Sequence, residues 1–226
     1  NRVAGDTLST SYTSASFATK NVGTAKSVSV SGIAISGADA ANYPANTTAT
    51  TTANITARAL VVSATGVDKV YNGTTNATVN LSDDRVSGDT LSTSYTSASF
   101  ANKNVGVAKT VSVSGIAISG TDASNYAANT TATTTANITT RALVVSATGV
   151  NKVYDGNTTA TVTLSDNRVA GDTLSRSYTS ASFADKNVGT TKNVSVSGIA
   201  ISGADAANYT ANTTATTTAN ITARSL

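Results

Sequence analysis

Asp83 and Asp84 are neighbouring carboxylates of the kind a general acid/base pair needs, and Asp89 lies in the same loop. Together they could offer oxygen ligands to calcium, a cation that asks for nothing softer. Asp6 and Asp172 occupy the place of Asp89 in related stretches. Lys69, Lys103 and Lys109, with Asn102 and Asn104 near in sequence, could close an intramolecular Lys–Asn or Lys–Asp amide. The stretches "KVYNGTTNATV" (69–79) and "KVYDGNTTATV" (152–162) set Tyr71-Asn72-Gly73 against Tyr154-Asp155-Gly156. These two could be a reactive carboxylate site or a turn.

Most of these chemistries weaken on reading further. The chain has no His and no Cys, which removes the usual general base and the thiol nucleophile. The second carboxylate of the pair becomes Asn167 in the related stretch, and the Asp155 carboxylate becomes the Asn72 amide. Catalysis would not survive those exchanges, whereas a turn would, because Asn-Gly and Asp-Gly both tolerate positive φ. The six residues are therefore read as a structural turn, with the tyrosines packing and their hydroxyls in need of a partner. No spaced Asp-x-Asp-x-Asp-Gly loop supports a calcium site, so no metal and no cofactor is expected, and no enzyme. All 12 acidic residues are Asp, so a crosslink would lack its usual Glu helper. The Thr-rich run "TTATTTANIT" is read as the wet face of a strand rather than a glycan- or ice-binding array. Asn46 and Asn54 open Asn-x-Thr sequons, which mean little if the source is bacterial.

The elements that hold these residues are set by composition and repetition. Thr, Ser, Ala, Asn and Gly dominate, Val and Ile supply the larger apolar groups, and good helix formers are scarce. An all-β chain follows. "RVAGDTLS" begins at Arg2 and again at Arg168, and "RVSGDTLS" at Arg85, a period of 83 residues. Such a unit is long enough to be a small domain rather than a solenoid turn. Boundaries fall at 1–57 for a partial repeat domain, 58–140 and 141–223 for complete ones, and 224–226 for the start of another. The chain opens in mid-repeat, so it is expected to be a fragment of something longer.

Within 58–140 the expected strands are 59–67, 74–82, 90–100, 110–120 and 129–140. Phase shifts at Phe100 and across Gly115 call for bulges or corners. "TDASNY" is read as one helical turn or a loop. The pairing is expected to be antiparallel, in an immunoglobulin-like sandwich; a β-grasp-like sheet with a short helix at "ADAANY" is the alternative. "ITTRALVV" has no linker composition, so successive domains are expected to join stiffly into a rod.

The motif order Val-Tyr-Asp-Gly, "GDTLS", "ASFADKNVG", "VSVSGIAISGADAANY" and "TATTTANITARAL" resembles the YDG-type repeat of large secreted bacterial adhesins, filamentous-haemagglutinin-like proteins among them. The resemblance implies an extracellular or cell-surface setting and a role as stalk, in attachment or in biofilm. The competing expectations are a binding module for carbohydrate or host surface acting by avidity, and a subunit that associates with copies of itself. With net charge +3 and 12% charged residues there is no basic run for nucleic acid, and no apolar stretch long enough to span a bilayer.

Overall fold

The computed structural model describes residues 2–226 and is all-β, with single 3₁₀ turns at Ala40–Asn42, Ala123–Asn125 and Ala206–Asn208. The chain divides into two compact units: Asn1–Ser63 with Ser82–Ser94 and Gly115–Thr130, and Ala64–Leu81 with Tyr95–Ser114 and Thr131–Leu226.

The copy 141–223 lies wholly in the second unit and displays the strand plan. Its largest sheet has four strands. Ser180–Phe183 pairs with Gly189–Ser197, which pairs with the Thr-rich Thr214–Thr222, whose other edge carries Lys152–Val153. Val145–Val150 and Thr161–Asp166 form an antiparallel ribbon. Ser175–Ser177 pairs with Ala200–Ser202, and Arg141–Leu143 with Tyr209–Ala211. Alternation puts Val194, Val196, Ala219 and Ile221 inside, and Thr214, Thr216 and Thr218 in water. Where the ribbon crosses the Thr-rich strand there is no room for a side chain. A Cβ on Gly149 would fall 2.5 Å from the Thr218 carbonyl oxygen.

Two expectations are corrected. The pairing is not purely antiparallel: Arg141–Leu143 and Lys152–Val153 each run parallel to strands near the end of the copy. No crossover helix is needed, because the rest of the copy is the connection. Nor are the long strands continuous. The expected 59–67 is two strands, Arg58–Leu60 and Val62–Val67. The expected 90–100 breaks into Ser92–Ser94 and Ser97–Phe100, 110–120 into Ala117–Ser119 and the end of Gly106–Ser114, and 129–140 holds Thr131–Thr139. The pieces serve different sheets.

The breaks have local causes. In the last copy Gly198 has φ +67 and its α-carbon passes so close to Thr179 that a Cβ would collide with the threonine side chain. Both strands therefore turn from one sheet into the next at one level. Asn212 marks the other break: its side-chain amide accepts from Val145 N (2.7 Å) and donates to Val145 O (3.0 Å), standing in for a strand's main chain. Asn129 does the same for Val62 in the first unit. Thr131–Thr139 is separated from Arg141–Leu143 by Thr140 alone.

Candidate functional site

The Lys-Val-Tyr-Asp/Asn-Gly turn is built around an ammonium group. Lys69 Nζ is taken up by Asn72 Oδ1 (3.1 Å) and by the carbonyls of Thr74 (2.8 Å) and Asn76 (2.7 Å), and it sits 5.3 Å from the Phe100 ring centroid. Asn72 Oδ1 also accepts from Thr74 N (3.1 Å), an Asx turn. In the next copy Lys152 donates to Asp155 (2.8 Å) and to the carbonyls of Asn157 and Thr159, and lies 5.6 Å from Phe183. Lys152, and the Asn157 amide after it, hold the Asp155 carboxyl below the ordinary carboxylate range. Amide and carboxylate do the same work, which is why they exchange. The turn is not a tight hairpin, because Lys152–Val153 and Thr161–Asp166 belong to different sheets.

The tyrosine that follows is the informative residue. Tyr71 is 1% exposed although its own copy does not enclose it. Its hydroxyl donates to both Asp172 carboxylate oxygens (3.1 and 2.9 Å), and its ring stands edge-on to Tyr209 at 5.4 Å. Both partners belong to the following copy. Lys103 Nζ reaches the same place, 2.7 Å from Asp172 and 3.1 Å from Asp205, with the Tyr71 ring centroid at 5.8 Å. Val105 N donates to Asn208 Oδ1 (2.9 Å). Gly73 completes the contact: a Cβ there would meet Val169 Cγ1 at 2.7 Å.

The receiving face is assembled by local bonds. After Thr161–Asp166 the chain turns sharply, held by Arg168, which grips Asp166 through Nε (2.8 Å) and Nη2 (2.5 Å). Tyr209 OH accepts from Val169 N (2.9 Å) and donates to Asp172 (2.6 Å). Asp205 precedes the 3₁₀ turn and accepts from Thr173 N (2.9 Å). Burial works to push the Asp172 carboxyl up, but Lys103 and the two tyrosine hydroxyls outweigh it and hold the carboxyl low. Burial and then the Asp172 carboxylate push Tyr209 up to about 12. Asp172 is ionised and both tyrosines are neutral donors at neutral pH.

The first unit holds a second junction of the same design. Lys20 bridges Asp89 (2.5 Å) and Asp122 (2.9 Å), Val22 N donates to Asn125 (2.9 Å), and Tyr126 OH donates to Asp89 (2.6 Å). A cavity of about 270 Å³ lies between Lys20, Val22, Ile55, Val86, Asp89 and Tyr126; of these, Lys20, Asp89 and Tyr126 are the counterparts of Lys103, Asp172 and Tyr209, which meet Tyr71.

The other sequence candidates are placed as follows. Asp83 is clamped by Arg85 (2.7 and 2.5 Å), which holds its carboxyl below the ordinary range. Asp84 accepts from Val61 N (2.8 Å), and Asn167 accepts from Val144 N (2.9 Å), so amide and carboxylate again exchange. The structure does not bring Asp83, Asp84 and Asp89 together as ligands, and among the described residues no group of three or more acidic residues could hold a metal ion. Lys109 donates to Asn102 Oδ1 (2.7 Å), where the related Lys192 meets Asp185 (2.5 Å). Tyr154 and Gly156 keep the turn but touch no following copy: Tyr154 is half-buried and its hydroxyl makes no hydrogen bond, and a Cβ on Gly156 would meet nothing within 4 Å.

Asp89, Asp172 and Lys103 stand out in the sequence for other chemistry, a calcium loop and an amide crosslink, and here they meet at the junctions. The sequence reading misses Asp122, Asp205, Tyr126, Tyr209 and the asparagines. Their signal was repetition without variation, since Asp172, Asp205, Asn208, Tyr209 and Lys103 each recur unchanged at the 83-residue period.

No helix among the described residues is long and apolar enough to cross a membrane. A model of the YDG domain matches the chain over residues 1–53, 56–136 and 139–219. No curated protein and no solved structure matches it.

Proposed function

The chain belongs to the YDG domain family, and from that premise we propose that it is a run of structural spacers in a bacterial cell-surface or secreted adhesin. Each copy, 58–140 and 141–223, acts as an immunoglobulin-like sandwich, with 1–57 the remainder of another. The spacer holds an adhesive part at a distance and does no catalysis. The observation that carries this reading is the junction: Tyr71 and Lys103 of one copy are fixed by Asp172, Asp205 and Tyr209 of the next. Lys103, Asp172, Asp205 and Tyr209, each unchanged at the 83-residue period, are thus spent on joining copies.

The test is replacement. In the adhesin that carries it, this stretch is exchanged for an unrelated stiff spacer of equal length, and attachment of cells to a surface is counted. A spacer role predicts attachment within twofold of the parent, and attachment falling when the stretch is simply deleted. Loss of attachment with the length-matched replacement would show that these copies themselves bind.

A further inference from the structure

Asn72-Gly73 is the only Asn-Gly step in the chain, and the corresponding step one copy later is Asp155-Gly156. Asparagine followed by glycine is the step most open to cyclisation. The backbone nitrogen of the second residue attacks the side-chain amide carbon of the first, and glycine has no Cβ to crowd that approach. A five-membered imide forms, ammonia leaves, and water reopens the ring to an acid.

The fold arranges the atoms that take part. Asn72 is exposed, so water reaches it. Its Oδ1 accepts from three donors at once: Lys69 Nζ (3.1 Å), Thr74 N (3.1 Å) and Thr74 Oγ1 (2.9 Å). Lys69 is itself fixed by the carbonyls of Thr74 (2.8 Å) and Asn76 (2.7 Å). Negative charge gathers on Oδ1 when the nitrogen adds to Cγ, and preorganised donors at that oxygen stabilise it. The attacking and leaving groups are unencumbered: among the described residues neither Gly73 N nor Asn72 Nδ2 donates a hydrogen bond.

The product already has a template. Asp155 occupies the same turn, with Lys152 Nζ at 2.8 Å and Asn157 N at 3.2 Å from its Oδ1. A carboxylate at position 72 therefore fits the turn as it stands, and it exchanges a neutral acceptor for an ion pair with Lys69. The other product of such a ring, isoaspartate, routes the main chain through Cγ and lengthens it. That would shift Gly73, which approaches the following copy so closely that a Cβ on it would lie 2.7 Å from Val169 Cγ1.

We propose that Asn72 is a self-modifying site, at which the turn converts the encoded amide into an aspartate. Gly73 N gives its proton to water and bonds to Cγ; the Cγ–Nδ2 bond breaks, and ammonia departs with a proton. Water then adds to the same Cγ, which the three donors polarise. The N–Cγ bond breaks, Gly73 N recovers a proton, and the main chain is restored with a carboxylate beside Lys69. The turns of the two copies become alike. The spacing role does not depend on this conversion.

Peptide mass spectrometry on the full chain tests it, with samples taken over weeks at neutral pH and body temperature. The reference is the same chain kept unfolded in guanidinium at the same pH. The folded chain should lose the Asn72 amide at least about fivefold faster than the unfolded one, with ordinary aspartate as the main product. Thr74→Ala removes one donor at an exposed position and leaves Lys69 its carbonyl, so it should slow the conversion about tenfold. An amide that persists in the folded chain overturns the proposal, as does a folded rate no greater than the unfolded one. So does isoaspartate as the main product, or a T74A chain that converts as fast as the parent.

Discussion

At the scale of single residues, Asp172 decides how firmly one copy holds the next. It is 8% exposed and takes bonds from Lys103, Tyr71 and Tyr209. Losing a hydrogen bond to a charged acceptor costs about 1.5–3 kcal/mol, so Tyr71→Phe should lower the stability of the second unit by that much. Tyr154→Phe should change it by less than about 0.5 kcal/mol, because that hydroxyl has no partner. Asp172→Ala leaves two buried hydroxyls without their acceptor and the Lys103 ammonium with Asp205 alone, and should cost roughly 3 kcal/mol. Urea denaturation at pH 7 measures all three; equal losses for the two tyrosines would refute the assignment. The pH dependence has a definite sign. The Asp172 carboxyl titrates lower in the folded chain than in the unfolded one. Its contribution is therefore complete above the unfolded value of about 4 and is lost as pH falls through the folded value. Asp172→Asn should flatten the stability profile below about pH 4.

At the scale of strands, the turns that defeat continuous reading are also where the backbone is most constrained. Thr191 has φ 52, as Ala25 and Ala108 do near 49, and each lies in a bulge capped by an asparagine, Asn220 Oδ1 accepting from Thr191 N at 2.8 Å. A β-branched residue in the left-handed region is strained by about 1–2 kcal/mol. Thr191→Gly should therefore raise the thermal midpoint, and a fall would show the conformation to be unstrained. Gly149→Ala should lower the midpoint, because overpacking against Thr218 costs about 1–3 kcal/mol of stability. This is also where legibility ended. Alternation such as Val194 and Val196 is a local signal, so the all-β class and the buried faces could be read directly. The sheet switches could not, because Asn129 and Asn212 act as substitute backbone while looking like ordinary turn residues. The parallel pairing of Lys152 with Ile221 joins the two ends of a copy, and no local pattern encodes it. The junction was hidden for the same reason: Lys103 and Asp172 lie 69 residues apart and in different copies.

At the scale of the whole molecule, repetition turns each contact into a nearest-neighbour term, so a copy's stability depends on who follows it. Phe17 in the partial copy is 37% exposed, against 3% for Phe100 and Phe183, which sit under Lys69 and Lys152. Tyr71, which has a following copy, is buried, and Tyr154, which has none here, is not. A chain in which a second set of residues 61–140 follows Leu226 supplies Tyr154 with an Asp89 and a Tyr126. Completing the burial of one large side chain contributes about 1.5–3 kcal/mol. Since each 1.4 kcal/mol is a factor of ten, amide exchange across residues 152–157 should slow by roughly ten- to a hundredfold. The same extension carrying Asp89→Ala in the added copy should give back most of that protection, because the tyrosine then meets no carboxylate. Exchange that slows equally in both extensions would mean that the added mass, and not the Tyr–Asp contact, joins one copy to the next.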